Sequence, residues 1–168
     1  MVPGRWVRSF AARGGGEPVL SKTSGTRVLY LFGAMYSNEQ HPPEVWVRAL
    51  CDVIDRALPR ESPDKVTILI DARAGSTPDF SNPVVTKLLP FVKLAGSVMG
   101  LNFPERVEQF VIFPVPWIAR FFWAMAKPFI DSRTRNKVLL IGGDANVGAP
   151  VPDGVAQFVD PADGYPSL

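Results

Sequence analysis

The sequence has one cysteine, Cys51, and one histidine, His41. A lone thiol excludes an internal disulfide framework and any cysteine-rich metal site, and it suits a reducing, cytoplasmic setting. One histidine beside one cysteine leaves too few members for a histidine-based triad or a histidine-rich zinc centre. Cys51 falls on the apolar side of a helical pattern with Val47, Ile54 and Leu58, as a structural thiol does, and His41 precedes Pro42 and Pro43 in a polar turn. No apolar run reaches the roughly 20 residues needed to cross a bilayer. A long basic stripe is also missing. Lysine and arginine number 18 against 16 aspartate and glutamate, so the net charge of +2 argues against nucleic acid as an obligate partner yet allows contact with anionic membranes. The expectation is a binding protein without enzymatic chemistry, metal or cofactor, peripheral at membranes.

What is present is a chain of 168 residues, 46% hydrophobic, long enough for one domain with a real core. Residues 1–26 read as a disordered or targeting-like segment. Arg5, Arg8 and Arg13 alternate with Trp6 and Phe10 as in an organelle transit segment, and Gly14 to Gly16 end any helix begun there. Residues 27–168 read as the domain. Arg27 to Met35 is a β-rich apolar run, and Pro43 to Leu58 has helical spacing with proline in the first turn. Lys65 to Asp71, KVTILID, is nearly continuous in apolar residues, as expected of a strand covered on both faces. Asn82 before Pro83 reads as a helix N-cap, and Val85, Leu88, Leu89, Val92, Ala95 and Met99 then form an apolar stripe ended by Gly100, with Pro90 expected to kink it. Val107 to Val115, a helix from Pro116 to Phe129, and Lys137 to Ile141 continue the alternation. The order predicts an α/β three-layer sandwich with a mostly parallel sheet and right-handed crossovers.

The stretch WIARFFWAMAK, Trp117 to Lys127, carries only two charges, Arg120 and Lys127. Seven residues apart, they lie about 20° from each other around a helix, so everything else on the circumference is apolar. Such a helix meets apolar material on more than one side. Its span of about 16 Å covers roughly half a bilayer, which excludes a membrane crossing. The segment IGGDANVG, Ile141 to Gly148, lacks the GK[ST] ending of a phosphate-binding loop.

Around this helix the motifs FPERV (Phe103 to Val107), FVIFPVPW (Phe110 to Trp117), KPFIDSRTRNKV (Lys127 to Val138) and the acid-ended strand ILIDARAG (Ile68 to Gly75) occur in order. Together they resemble the CRAL-TRIO lipid-binding family over roughly Arg27 to Gly143. The resemblance implies an apolar pocket between a sheet floor and a gating helix, holding a phosphoinositide, another phospholipid or a similar hydrophobic molecule for transfer or presentation at membranes. It implies pocket and gate residues Val66, Ile68, Ile70, Phe110, Ile112, Trp117, Phe121, Phe122 and Met125. Phosphatidylinositol-transfer members of the family use a glutamate in the PER motif and a threonine and lysine near the end of the KPF segment. Here these are Glu105, Thr134 and Lys137, whose carboxylate, hydroxyl and ammonium suit inositol hydroxyls and a phosphate. Val66 and Ile68 stand where hydroxylated residues would serve phosphocholine, so phosphatidylcholine is disfavoured. Arg73, Arg133 and Arg135 rank second as phosphate ligands. Residues 1–26 show no counterpart of the N-terminal helical bundle of full-length transfer members, which favours the alternative of a protein-interaction scaffold.

Overall fold

The computed structural model describes residues 5–11, 16–77, 80, 85–117 and 119–166. Five strands form one sheet in the order in which they occur: β1 (Val7–Ser9), β2 (Arg27–Phe32), β3 (Val66–Asp71), β4 (Val107–Val115) and β5 (Val138–Gly142). The β1 strand runs antiparallel to β2, pairing Val7 with Leu31, and the remaining pairs are parallel. Between them lie α1 (Pro43–Ala57), α2 (Leu89–Asn102), α3 (Ala119–Ala126) and the short α4 (Ser132–Asn136).

Because the sheet grows in one direction along the chain, right-handed crossovers put all the connecting helices on one face. Leu50 of α1, Met99 of α2 and Phe122 of α3 accordingly border the same space above the sheet. The other face is covered by turns from the C-terminal segment. Gly154 there sits so close to Ile141 that a Cβ would come within 3.1 Å of the isoleucine Cγ2, and Val155, Phe158 and Val159 are buried. Phe10, Tyr30 and Phe113 stack edge to face on this side, with centroids 5.6 and 6.2 Å apart.

The central strand matches its sequence: Val66, Thr67, Ile68, Leu69 and Asp71 are all buried. Its β-branched residues fit a pleated surface packed on both sides. Asp71 is tolerated there because Tyr30 Oη donates to Oδ2 at 2.6 Å and Arg73 donates to both carboxylate oxygens. Arg73 also donates to the Ala149 carbonyl at 3.1 Å and so ties the C-terminal segment to the end of β3.

Three expectations change. The reading of residues 1–26 as a disordered segment does not hold for their described part, since β1 extends the sheet and Trp6, Val7, Phe10 and Val19 join the core. Trp6, Val7 and Phe10 are buried while Arg5, Arg8 and Ser9 are exposed, as suits a short edge strand, and over so few residues such a pattern is indistinguishable from a helical one. Pro90 does not kink a helix interior. It occupies the first turn of α2, where its missing N–H is not needed, and the preceding Val85–Leu88 is a 3-10 turn. The helix expected from Pro116 to Phe129 is Ala119–Ala126 followed by a 3-10 turn over Lys127–Phe129, because Pro128 enforces a tighter end. The N-cap expected at Asn82 and the side chain of Arg120 lie outside the described residues.

Candidate functional site

An apolar cavity of about 390 Å³ lies between the sheet and the helices α2 and α3. Alternate residues of each strand point up into it: Leu31 from β2, Ile68 and Ile70 from β3, Phe110 and Ile112 from β4, Val138 and Leu140 from β5. The two-residue period of a strand makes this selection, and it sends Leu69, Val111 and Leu139 to the other face. From α2 come Phe91, Val92, Ala95, Gly96 and Met99, one stripe at helical spacing. From α3 come Ala119, Phe122, Trp123 and Ala126.

The α2 helix is strongly apolar, yet none of its residues is fully buried. A helix lying directly on the sheet would bury its stripe. Here the stripe roofs an open space instead. The 3-10 turn after α3 is held against α2 at Gly96, where a Cβ would meet the Phe129 carbonyl oxygen at 3.0 Å, and by Lys93 Nζ 4.0 Å from the centre of the Phe129 ring.

A smaller polar cavity of about 170 Å³ adjoins the apolar one and shares Met99, Phe110 and Thr134 with it. Its rim carries Glu105, Asp131, Arg133 and Lys137. Lys137 Nζ donates to Glu105 Oε2 at 2.7 Å and to the Val107 carbonyl at 2.9 Å. Asp131 caps α4 by accepting from the Thr134 N–H at 3.0 Å, which fixes the orientation of this corner. Glu105 takes a left-handed backbone, with φ of 59°, a conformation that costs a non-glycine residue roughly 1 kcal/mol or more. Arg106 cannot pair with it, being bonded to the Ser62 and Pro59 carbonyls.

The Lys137 hydrogen bond and charge hold the Glu105 carboxyl below the usual carboxylate range. A carboxylate so depressed keeps its pairing at neutral pH and loses it as pH falls through the lowered value. A carbon-detected NMR titration of Glu105 is expected to show this low midpoint, and Lys137→Ala to return it toward that of an ordinary glutamate. An unchanged midpoint in the variant would show that another group sets it.

The structure thus brings Glu105, Thr134 and Lys137 to one rim, and puts Ile68, Ile70, Phe110, Ile112 and Phe122 on the apolar walls. It does not place Val66, Trp117, Phe121 or Met125 there. Val66 is buried at the start of β3, one pleat before the cavity begins, where its N–H bonds to the Arg106 carbonyl. Trp117, Phe121 and Met125 face outward, 75%, 66% and 47% exposed, because the inner face of α3 is taken by residues 119, 122, 123 and 126. Of the second-rank arginines, Arg133 borders the polar cavity, Arg73 is bound to Asp71, and Arg135 is exposed. Sequence reasoning missed Trp6, Leu31, Tyr36 and Phe91 as wall residues. The stripe of α2 was visible as apolar, but nothing in its spacing says that it roofs a cavity.

Among the described residues no helix is long and apolar enough to cross a membrane, and no group of three or more His, Cys, Asp or Glu side chains could hold a metal ion.

Comparison with known proteins adds four findings. Residues 21–161 match the family model described as the CRAL/TRIO domain. The phosphatidylinositol transfer protein PDR17 of Saccharomyces cerevisiae is 30% identical over 79 residues, 45% of this chain and 21% of that protein. The protein real-time of Drosophila melanogaster is 28% identical over 94 residues, 56% of this chain and 13% of its own length. The chain therefore spans about a fifth or less of these relatives. The crystal structure of Sfh5 superposes with a TM-score of 0.59 at 15% identity, covering 82% of this chain and 49% of that one, a likeness of fold.

Proposed function

The chain belongs to the CRAL/TRIO domain family, and from that premise we propose that it binds an amphiphilic lipid, a phosphoinositide or another phospholipid, and presents or transfers it at membranes. The hydrocarbon part occupies the cavity between sheet and helices, and the head lies at Glu105, Arg133, Thr134 and Lys137. The observation that carries this reading is the junction of two cavities of different character, one apolar and one whose rim carries four charged side chains, through a wall shared at Met99, Phe110 and Thr134. Burying a tail in the first gains hydrophobic free energy, while the head keeps polar partners in the second.

The outer face of α3 supports the membrane step. Trp117, Phe121, Met125 and, on the following turn, Phe129 are exposed together, with Lys93 and Lys127 beside them. Aromatic side chains flanked by cations favour the interface of an anionic bilayer. The same helix bears cavity residues on its inner face, so lifting it toward lipid would open the pocket at the point of contact.

Mass spectrometry of lipid extracted from natively purified protein tests the reading. A stoichiometric phospholipid is the expected result, and a protein that neither carries nor takes up any lipid would overturn it. For the head position, Lys137→Ala is expected to weaken binding of phosphatidylinositol about tenfold, the effect of one charge-assisted contact. Undiminished binding by the folded variant would remove Lys137 from the headgroup site.

A further inference from the structure

Resting on the lipid reading above, we propose that the pocket selects a lipid with a single hydrocarbon tail below its phosphate-bearing head, such as a monoacyl phosphoinositide, over the two-chain form. The cavity of about 390 Å³ falls near the lower end of the roughly 300–1,000 Å³ that hold one drug-sized molecule. It crosses the sheet from Val138 on β5 to Leu31 on β2, three strand spacings or about 14 Å. A space of this length and volume takes one chain lengthwise.

The end away from the charged rim is closed. Trp6 packs edge to face on Phe91 at 5.3 Å and on Trp46 at 5.2 Å, and Tyr36 lies against both Trp46 and Phe91. Trp6, Tyr36 and Trp46 are all buried members of the core cluster, so a tail entering from the rim ends against this wall. At the other end one polar cavity adjoins the apolar one, with Arg133 and Lys137 as its cations. A second chain leaving the same head would find only the smaller cavity of about 170 Å³, which the head itself takes up and whose wall mixes Met99, Phe103 and Val107 with Glu105, Asp131, Arg133 and Lys137, so most of its length would lie outside. Exposing a chain that a bilayer would have buried costs about 0.8 kcal/mol per methylene, which disfavours extraction of the two-chain lipid.

Two ligands decide the matter: lysophosphatidylinositol, kept below its micelle-forming concentration, and phosphatidylinositol with the same acyl chain. Native mass spectrometry and competition for a bound fluorescent fatty acid are read in parallel. The expected result is a one-to-one complex with the lyso form, bound at least tenfold more tightly than the two-chain form. Equal or tighter binding of phosphatidylinositol overturns the single-tail proposal and leaves the lipid reading standing, whereas failure of both to bind overturns the two together. Phe91→Ala, which thins the closed end by removing the ring on which Trp6 and Tyr36 pack, is expected to narrow the preference for the lyso form. A folded Phe91→Ala protein that keeps the full preference would show that this wall does not set it.

Discussion

Asp71→Ala is expected to destabilise the fold by about 3 kcal/mol, read as a lower urea midpoint at unchanged slope. Asp71 is 4% exposed and its carboxylate serves three partners: the Tyr30 hydroxyl at 2.6 Å, the Arg73 guanidinium at 2.7 Å and the Arg73 backbone N–H at 2.9 Å. Removing it leaves the Tyr30 hydroxyl buried without an acceptor and the Arg73 cation without its counter-charge. Breaking a buried pair from one side costs about 3–5 kcal/mol, and the lower figure applies because the Arg73 side chain is 21% exposed and can take up water. The effect reaches beyond β3, since Arg73 also holds the Ala149 carbonyl. Hydrogen exchange in residues 149–159 is therefore expected to rise more than in α1. Asp71→Asn, which can still accept from Tyr30, is expected to lose less. An unfolding free energy within about 0.5 kcal/mol of the parent protein for Asp71→Ala would show that the network contributes little.

Ala95→Trp is expected to weaken lipid binding about a hundredfold while leaving the protein folded. Ala95 sits mid-stripe on α2 and faces the cavity across from the sheet. An indole there would occupy space that is empty in the protein, so it fills a void and does not overpack a core. The tail loses that space. Displacing about four methylenes at roughly 0.8 kcal/mol each amounts to about 3 kcal/mol, a loss of affinity on the order of a hundredfold. Arg48→Trp on the exposed side of α1, away from the cavity and from α3, is the control and is expected to bind normally. Normal uptake by Ala95→Trp, with its helical content intact, would place the ligand somewhere other than this cavity.

The two variants probe different levels of the molecule, and the sequence was legible at each to a different degree. ILIDARAG announced both a covered strand and a carboxylate at its end, and Arg73 was already a natural partner for Asp71 by proximity. The partner Tyr30 lies 41 residues away and was not visible. For the cavity, the family resemblance supplied Val66, Ile68, Ile70, Phe110 and Ile112, while the strand pattern by itself did not say which face looks inward. Ile68, Ile70, Phe110 and Ile112 border the apolar space and Val66 does not, because parity says which way a side chain points and not where along the strand the cavity starts. On α3, an almost wholly apolar circumference gave no phase, and Trp117, Phe121 and Met125 could be separated from Phe122 only by seeing which side met the sheet.

By itself the sequence determined the alternation of strands and helices, the buried character of β3 and the resemblance to the family, and that resemblance in turn implied Glu105, Thr134 and Lys137 as a candidate head site. These follow from local periodicity and from motifs of fixed spacing, which are properties of neighbouring residues. Only the tertiary structure decided that β1 closes the sheet edge and supplies Trp6 to the pocket, that Glu105 and Lys137 bond to each other across 32 residues, and that α2 spans a void. Those outcomes depend on how far apart packed layers come to rest. That separation is a sum of side-chain volumes contributed from the whole chain, and no single stretch of it encodes the gap.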